Sequence, residues 1–424
     1  MIPPGAEAHR AAESAARKSY GKLVAYLAAR TRDLASAEDA LADAFASALG
    51  NWPVSGVPAN PEAWLMTAAK RKLIDGARRR RRAEKAADGL VLHTEELISA
   101  MEETEGIGDE RLRLMFACAH PAIDPAVRAP LILQTILGFD AATIASAFLV
   151  APATMSQRLV RAKTKICEAG IPFRVPERAE LMGRLEAVLD AVYAVFTEGW
   201  ADPAGTETRR RELSGEAIWL GRLVVSLLPE EPETLGLLAL MLHAEARKQA
   251  RRDKAGRYVP LAEQDPANWD ERLIEEAECL LFQAGKLAAP ARFQIEAAIQ
   301  SAHAIRRQGG PADWPAIVRL YDGLLALTGS PVVEINRAVA LAEVAGAAAG
   351  LAALNDLAAN ARLQDYQPYW AALAELLART DAIDDAWQAY QRAIGLESDP
   401  AVREFLQERQ ARLSSRTTPG RPPR

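Results

Sequence analysis

The spacing of apolar residues is the strongest constraint on this chain, and it predicts an all-α protein. Residues 15–31 and the stretch after Ser36 carry apolar side chains three or four residues apart, which is helical periodicity. The same pattern runs from about residue 178 to 412, broken by Pro and Gly, without strand alternation. The chain has 424 residues, too many for one ordinary core, so we expect two to four domains.

Local signals predict where the first helices begin. Ser36 and Asp39 have the spacing of a capping box at a helix start. Asn60 followed by Pro61 predicts an N-cap and the first position of a helix. The apolar pattern of the helix that starts after Asn60 includes Trp64 and continues into a run of arginines.

A basic segment at residues 69–85, AKRKLIDGARRRRRAEK, holds nine Lys or Arg in a chain of formal net charge −5. Residues 86–109 then contain no Lys or Arg but several acids, and we predict that they form a linker. The basic segment favours nucleic-acid binding, because a polyanion relieves the repulsion between neighbouring cations. The alternative is a solvated basic end of a helix.

Residues 138–166, GFDAATIASAFLVAPATMSQRLVRAKTKI, are typical of a helix-turn-helix. Asp140 is placed to cap a short helix, LVAP makes the turn, and Pro152 opens a second, basic helix. We expect the outer side of that helix to contact phosphates and base edges through Thr154, Ser156, Gln157, Arg158 and Arg161. A basic amphipathic helix in a purely structural bundle is the alternative.

The C-terminal half contains one clear tetratricopeptide-like pattern, in PYWAALAELLARTDAIDDAWQAYQRAIGLESDP. An earlier, looser copy begins at EINRAVALAEVAG, residues 334–346. Since one such unit cannot bury its own apolar face, the two copies predict a series of helical hairpins. The key positions are Trp370, Leu373, Ala374, Leu377, Ala386, Tyr390 and Ala393, with Pro400 closing the unit.

Several functional classes are disfavoured by the sequence. The five histidines are scattered, and no HExxH, Walker loop, GxGxxG or GxSxG motif occurs, so we expect no enzymatic activity, no cofactor and no metal site. No apolar run is long enough to span a bilayer, and the N-terminus lacks a secretory pattern. Three widely spaced cysteines predict a reducing, cytoplasmic location.

The order of these parts resembles that of a bacterial sigma factor of the extracytoplasmic-function group, the sigma-70 type reduced to regions 2 and 4. SAEDALADAFASAL and NPEAWLMTAAKRKLIDGARRRRR are similar to region 2, and the helix-turn-helix segment is similar to region 4.2. The remainder resembles a subgroup with a tetratricopeptide-like extension, in AVYAVFTEGW, LAEQDPANWD and YDGLLALTGSPVVEINRAVALAEVAG, although QDPANWD is less basic than is usual in that subgroup. The implied domains are region 2 (1–85), an acidic linker (86–109), region 4 (110–170), the helical extension (171–413) and a disordered tail (414–424).

The resemblance implies the following contacts. Asp39, Asp43 and Phe45 would bind core RNA polymerase. The promoter minus-ten element would be contacted by Trp64, Lys70, Arg71, Lys72, Arg78, Arg79 and Arg80. The minus-thirty-five element would be contacted by the five polar residues named above in the basic helix of the helix-turn-helix. The acidic linker would thread a cationic cleft of the polymerase. Apart from the resemblance, we expect the helical extension to be a built-in regulator that either packs on regions 2 and 4 or docks a protein or peptide in the groove of its helical hairpins.

The sequence therefore predicts an initiation factor that binds core polymerase and promoter DNA. A different class remains open, a stand-alone helix-turn-helix regulator with a tetratricopeptide-like sensor domain. An interaction scaffold with incidental basic patches is a third reading.

Overall fold

The computed structural model describes residues 4–84, 110–148, 150–200, 208–287, 290–360 and 363–416. Within these ranges every regular secondary-structure element is a helix. The β-type pairing there is one isolated bridge between Arg252 and Tyr258. The all-α prediction is thus confirmed. The chain divides into two compact units, Met1–Gly199 and Trp200–Arg424. No helix in the described ranges has the length and apolar character needed to cross a bilayer.

The first unit begins with three long helices that pack on one another, α1 (Pro4–Thr31), α2 (Leu34–Ser55) and α3 (Pro61–Glu84). Their core contains the fully buried side chains of Leu23, Leu27, Leu41, Trp52 and Leu65. Shorter helices follow, α4 (Arg111–Cys118), α5 (Pro125–Leu137), α6 (Ala141–Ala147) and α7 (Pro152–Glu168), and then α8 (Arg178–Trp200).

The start of α2 differs from the capping box expected at Ser36. The N-cap is Asp33, whose carboxylate accepts hydrogen bonds from the Ser36 backbone N–H at 3.0 Å and the Ser36 hydroxyl at 2.5 Å. A carboxylate is a strong cap because it is charged and faces the positive end of the helix dipole. The helix therefore begins earlier, at Leu34, and Ser36 lies inside its first turn.

The predicted start of α3 is confirmed. The Asn60 side-chain oxygen accepts a hydrogen bond from the Ala63 backbone N–H at 3.0 Å, and Pro61 is the first helical residue. The helix continues through the arginine run to Glu84. The predicted acidic linker, 86–109, lies outside the described residues.

The second unit is a succession of helices. They are α9 (Thr208–Leu227), α10 (Pro232–Ala246), α11 (Glu271–Lys286), α12 (Arg292–Ala304), α13 (Trp314–Thr328), α14 (Pro331–Ala345), α15 (Ala347–Asn355), α16 (Gln367–Arg379), α17 (Ile383–Leu396) and α18 (Pro400–Arg416). Single turns of 3-10 helix lie at 249–251, 261–263 and 266–268, and another follows α12 at 305–308.

The segment with the tetratricopeptide-like pattern forms a packed pair of helices, α16 and α17. Ala374, Ala386, Tyr390 and Ala393 are buried between them, as the pattern predicts. Pro400 starts α18, and this further helix covers the pair with Leu406 and Leu413. Because α18 continues to Arg416, it includes the first three residues of the expected tail. Residues 417–424 lie outside the described part of the chain.

Candidate nucleic-acid interface

The acidic face of α2, Asp39 and Asp43, is exposed to solvent. The two carboxylates lie one turn apart, and Phe45 is half-buried beside the packed side of the same helix. Opposite them, Leu41, Ala44 and Ala48 are buried in the bundle, and this packing fixes which side of α2 faces outward. Asp43 makes an exposed ion pair with Lys72 of α3 at 3.5 Å.

The basic helix α3 presents its predicted residues in two environments. Trp64 is half-buried and packs edge-on against the buried Trp52, with ring centroids 5.5 Å apart. Lys70 is also half-buried, and its ammonium lies 5.2 Å from the centre of the Tyr26 ring. Arg71, Lys72 and Arg78 are exposed. Arg79 and Arg80 lie in the described helix, but their side chains are outside the described set.

Helices occupy both positions predicted for the helix-turn-helix. Asp140 caps α6, accepting from the backbone N–H and the hydroxyl of Thr143 at 2.8 and 2.7 Å. The second helix, α7, starts at Pro152 after Ala151, which makes no side-chain cap bond. Its apolar side, formed by Met155, Leu159, Ala162 and Ile166, is buried.

The polar side chains of α7 are exposed as predicted. Thr154, Gln157, Arg158 and Arg161 follow the spacing that places residues on one side of a helix, and all four are exposed. We call these four residues the α7 polar face. Ser156 is exposed as well but lies on a different side of the helix. The α7 polar face joins hydroxyl, amide and guanidinium donors, a mixture suited to phosphates and base edges.

Sequence reasoning missed a buried ion pair between α2 and α7. Glu38 Oε2 lies 2.5 Å from Lys163 Nζ, and the side chains are only 10% and 13% exposed. The other carboxylate oxygen of Glu38 is buried without a hydrogen-bond partner among the described residues. Burial raises the pKa of Glu38, although Lys163 acts in the opposite direction. The sequence did contain a signal for this pair. Glu38 follows Leu34 by four residues and precedes Leu41 by three, so it occupies a position of the helix where an apolar residue is expected.

Close contacts between α1 and α5 extend the same interface. A Cβ at Gly21 would lie 2.2 Å from the backbone oxygen of Ile136, so the two helices approach at a distance that only glycine allows. The Tyr20 ring lies against Gly138, whose left-handed φ of 74° ends α5. Cys118 contacts Thr135 at 3.5 Å, and burial raises the pKa of its thiol to about 12. The α4 to α7 block is therefore packed directly on α1 and α2.

No group of three or more side chains suited to metal binding occurs within the described ranges. His120 Nδ1 accepts from the Ala122 backbone N–H at 3.1 Å, and Cys118 is buried in the core. Cys118 and His120 thus have structural roles among the described residues.

Comparison with known families places a sigma-70 region 2 domain at residues 16–83, which span α2 and nearly all of α3. Residues 184–285 match a family of unknown function, DUF6596. The chain is 36% identical over 403 residues to a protein of Rhizobium meliloti (strain 1021) described as "Uncharacterized protein R00370", covering 93% of this chain and 92% of the relative. No solved structure shows a significant match.

Proposed function

Since the chain belongs to the same family as the Rhizobium meliloti protein and carries a sigma-70 region 2 domain, we propose that it is a sigma factor of the extracytoplasmic-function type. It binds core RNA polymerase and directs it to a limited set of promoters. It does so by positioning the enzyme on promoter DNA and capturing a strand of the melted minus-ten element. The observation that carries this proposal is the region 2 match, because residues 16–83 hold both the acidic face of α2 and the basic helix α3.

The polymerase contact is formed by α2. Asp39 and Asp43 are exposed on one side of the helix, where opposite charge on a partner steers association and fixes its register. Phe45 adds apolar area at the edge of this surface. The ion pair of Asp43 with Lys72 is solvent-exposed and therefore weak, so a partner can replace it at little cost.

The minus-ten contact is formed by α3. Arg71, Lys72 and Arg78 are exposed along the helix and neutralise phosphates, with Lys70, Arg79 and Arg80 adding positive charge. Trp64 offers part of an aromatic surface on which an unstacked base can pack. Its packing against Trp52 fixes the ring before DNA binds.

The minus-thirty-five contact is formed by the α7 polar face together with Ser156, inserted in the major groove. Thr154, Gln157, Arg158 and Arg161 are exposed, and the apolar side of the helix holds them in place. Arg158 and Arg161 can make bidentate contacts to guanine or bind phosphates.

The remaining segments have proposed roles as well. The acidic linker, 86–109, threads a cationic cleft of the polymerase. The tetratricopeptide-like extension, 171–413, regulates regions 2 (1–85) and 4 (110–170) in cis, where covalent attachment gives it a high effective concentration.

A second candidate is a stand-alone DNA-binding regulator, favoured by one observation. The α7 polar face is exposed although α7 is packed on α2, so duplex DNA could reach it without polymerase. Footprinting separates the two functions, because a regulator protects its site alone, whereas a sigma factor protects promoter DNA only with core enzyme.

Run-off transcription in vitro tests the proposed function. The template carries the DNA upstream of the chain's own coding region, and the reactions contain full-length protein, core RNA polymerase, or both. We expect a discrete transcript only when both are present. Absence of a transcript together with protection of the DNA by the protein alone would favour the stand-alone regulator.

A further inference from the structure

A cavity of about 470 Å³ lies in the second unit, between α12, α13, α14 and the turn at 261–263. This volume is in the range of pockets that hold small organic molecules. None of the contacts proposed above for polymerase or DNA uses the cavity. Its walls include Leu261, His303, Arg306, Trp314, Tyr321 and Asn336.

Aromatic rings form much of the wall. Trp314 and His303 pack edge to face, with ring centroids 5.4 Å apart, so each holds the other in place. Tyr321 is half-buried and lies about two turns after Trp314 in α13. Burial raises the pKa of its hydroxyl to about 12, so the group stays protonated and can donate a hydrogen bond. Such walls suit a flat apolar body.

The turn that lines the cavity is fixed by Arg306. Its guanidinium donates to the backbone oxygens of Leu261 at 2.6 Å, Ala262 at 3.1 Å and Gln264 at 3.2 Å. The Gln264 side chain donates to the Val259 oxygen at 3.2 Å. LAEQDPANWD, the motif singled out in the sequence, thus begins with the two residues that form this wall, and the cavity is preorganised.

The charge around the cavity is unbalanced. The acid in its wall, Glu343, is paired with Arg379 at 2.5 Å, and Glu296, near Tyr321, is paired with Arg292 at 2.9 Å. By contrast, Arg306 and Arg247, which are both half-buried, have hydrogen bonds to carbonyl or amide oxygens and no ion pair with a carboxylate among the described residues.

His303 is close enough to both guanidinium groups to feel their charge, and it is neutral. Burial lowers its pKa to about 4, and Arg247 and Arg306 act in the same direction. The region beside the aromatic wall therefore carries two positive charges and a neutral imidazole. An anion placed there would offset partly buried positive charge that the described residues leave without a carboxylate.

We propose that this cavity binds a small organic anion with a flat apolar body, such as an aromatic carboxylate or sulfonate. Trp314 and Tyr321 pack on the ring system, and the anionic group lies toward His303 and Arg306, with Arg247 behind. The Asn336 amide supplies a further donor or acceptor. This site is independent of the proposed sigma function, so its failure would leave that function untouched.

A pair of fluorescent probes tests the proposal on the full-length protein. 1-Anilinonaphthalene-8-sulfonate carries a negative charge, and N-phenyl-1-naphthylamine has the same ring system without it. We expect the anionic probe to bind at least tenfold more tightly than the neutral one, and 2-naphthoate to displace it. Equal affinity for the two probes would overturn the proposal. The probes share their ring system, so a preference for the anionic one requires positive charge at the site and not only an apolar surface.

Variants locate the binding. Trp314→Ala and, separately, Tyr321→Leu should each weaken binding of the anionic probe at least tenfold, with unchanged circular dichroism. The matched control is Trp387→Ala, since Trp387 is 41% exposed on α17 and does not line the cavity. If both cavity variants fold and bind the probe like the unmodified protein, the assignment of the anion to this cavity is wrong.

Discussion

Glu38 Oε2 lies 2.5 Å from Lys163 Nζ, and this contact joins the helix proposed to bind polymerase to the helix proposed to read the minus-thirty-five element. Both side chains are almost wholly buried, and one oxygen of Glu38 has no hydrogen-bond partner in the described part of the chain. A buried pair of this kind gains little net stability over apolar residues, yet it is costly to break by removing one partner.

The proposed function requires this contact to open. The minus-ten and minus-thirty-five elements are separated by about 25 base pairs, or about 85 Å of B-form DNA at 3.4 Å per base pair. A compact unit of this size has a radius of gyration of about 16 Å. The α7 polar face and α3 therefore cannot reach both elements while α7 is packed on α2.

Replacing Lys163 with Met should loosen the packing of α7 on α2. The change leaves the Glu38 carboxylate buried without its cation, which costs about 3 kcal/mol. Native-state hydrogen exchange should then show amides of α2 and α7 opening at least a hundredfold more often than in the unmodified protein.

Two controls identify the cause of that change. Removing both charges with Glu38→Leu and Lys163→Met should restore most of the protection, since an apolar pair tolerates burial. Lys72→Met, which breaks the exposed pair with Asp43, should cost less than about 1 kcal/mol. Equal effects of Lys163→Met and Lys72→Met would mean that the buried pair does not hold the two helices together.

Gly21→Ala should loosen the packing of α5 on α1 within the first unit. The new methyl group would lie 2.2 Å from the Ile136 oxygen, so α1 or α5 must shift, at a cost of about 2 kcal/mol. Gly50→Ala is the matched control, because nothing lies within 4 Å of a Cβ there and alanine favours helix by about 1 kcal/mol. Urea unfolding should move in opposite directions for the two variants, and a stabilising Gly21→Ala would contradict the close packing.

Acid should destabilise the second unit through the buried His243 and the half-buried His303. Burial lowers the pKa of His243 and of His303 to about 4, from an ordinary value of 6.5. The unfolded chain thus takes up protons first as the pH falls, so stability is complete above about pH 6.5 and is lost toward pH 4. Each histidine should account for up to about 2 kcal/mol of loss in the free energy of unfolding between pH 7.5 and 5, with less at His243, because Glu278 Oε1 lies 3.4 Å from its Nε2 and favours the protonated ring.

Urea titrations of His243→Gln at the two pH values measure this effect. On acidification the variant should lose less free energy of unfolding than the unmodified protein, by up to about 2 kcal/mol, even if it is less stable at pH 7.5. His9→Gln, on exposed α1 surface, is the control. An unchanged pH dependence in the His243 variant would show that this histidine is not buried in its neutral form.

Arg158→Ala and Arg161→Ala should weaken promoter use and change its sequence preference. Both side chains are exposed on the α7 polar face, and loss of a bidentate base contact costs about 1 to 3 kcal/mol. Transcription from a set of minus-thirty-five variants measures the change, with Arg174→Ala, outside α7, as control. A uniform loss across all sequences would assign the arginines to phosphate contacts, and no loss would remove the α7 polar face from the interface.

Periodicity was sufficient for the helices and for the buried side of α7, because both follow from local spacing. The capping at Asn60 was equally readable, whereas Asp33 was missed because Ser36 offered a similar local pattern. Glu38 with Lys163, and Gly21 with Ile136, join residues more than a hundred positions apart. Such contacts depend on how the helices are arranged, and local patterns carry no information about that arrangement. The cavity combines residues of several helices and was unpredictable for the same reason.

The most direct test of the account is the affinity of the full-length protein for core RNA polymerase, measured with fluorescently labelled protein. The account predicts saturable binding, weakened at least tenfold by Asp39→Lys with Asp43→Lys, because these reverse the exposed charge on α2. Glu7→Lys with Glu275→Lys, which reverse two exposed charges outside α2, should leave the affinity unchanged. Absence of binding to core polymerase, or binding that is indifferent to the charge of α2, would contradict the account.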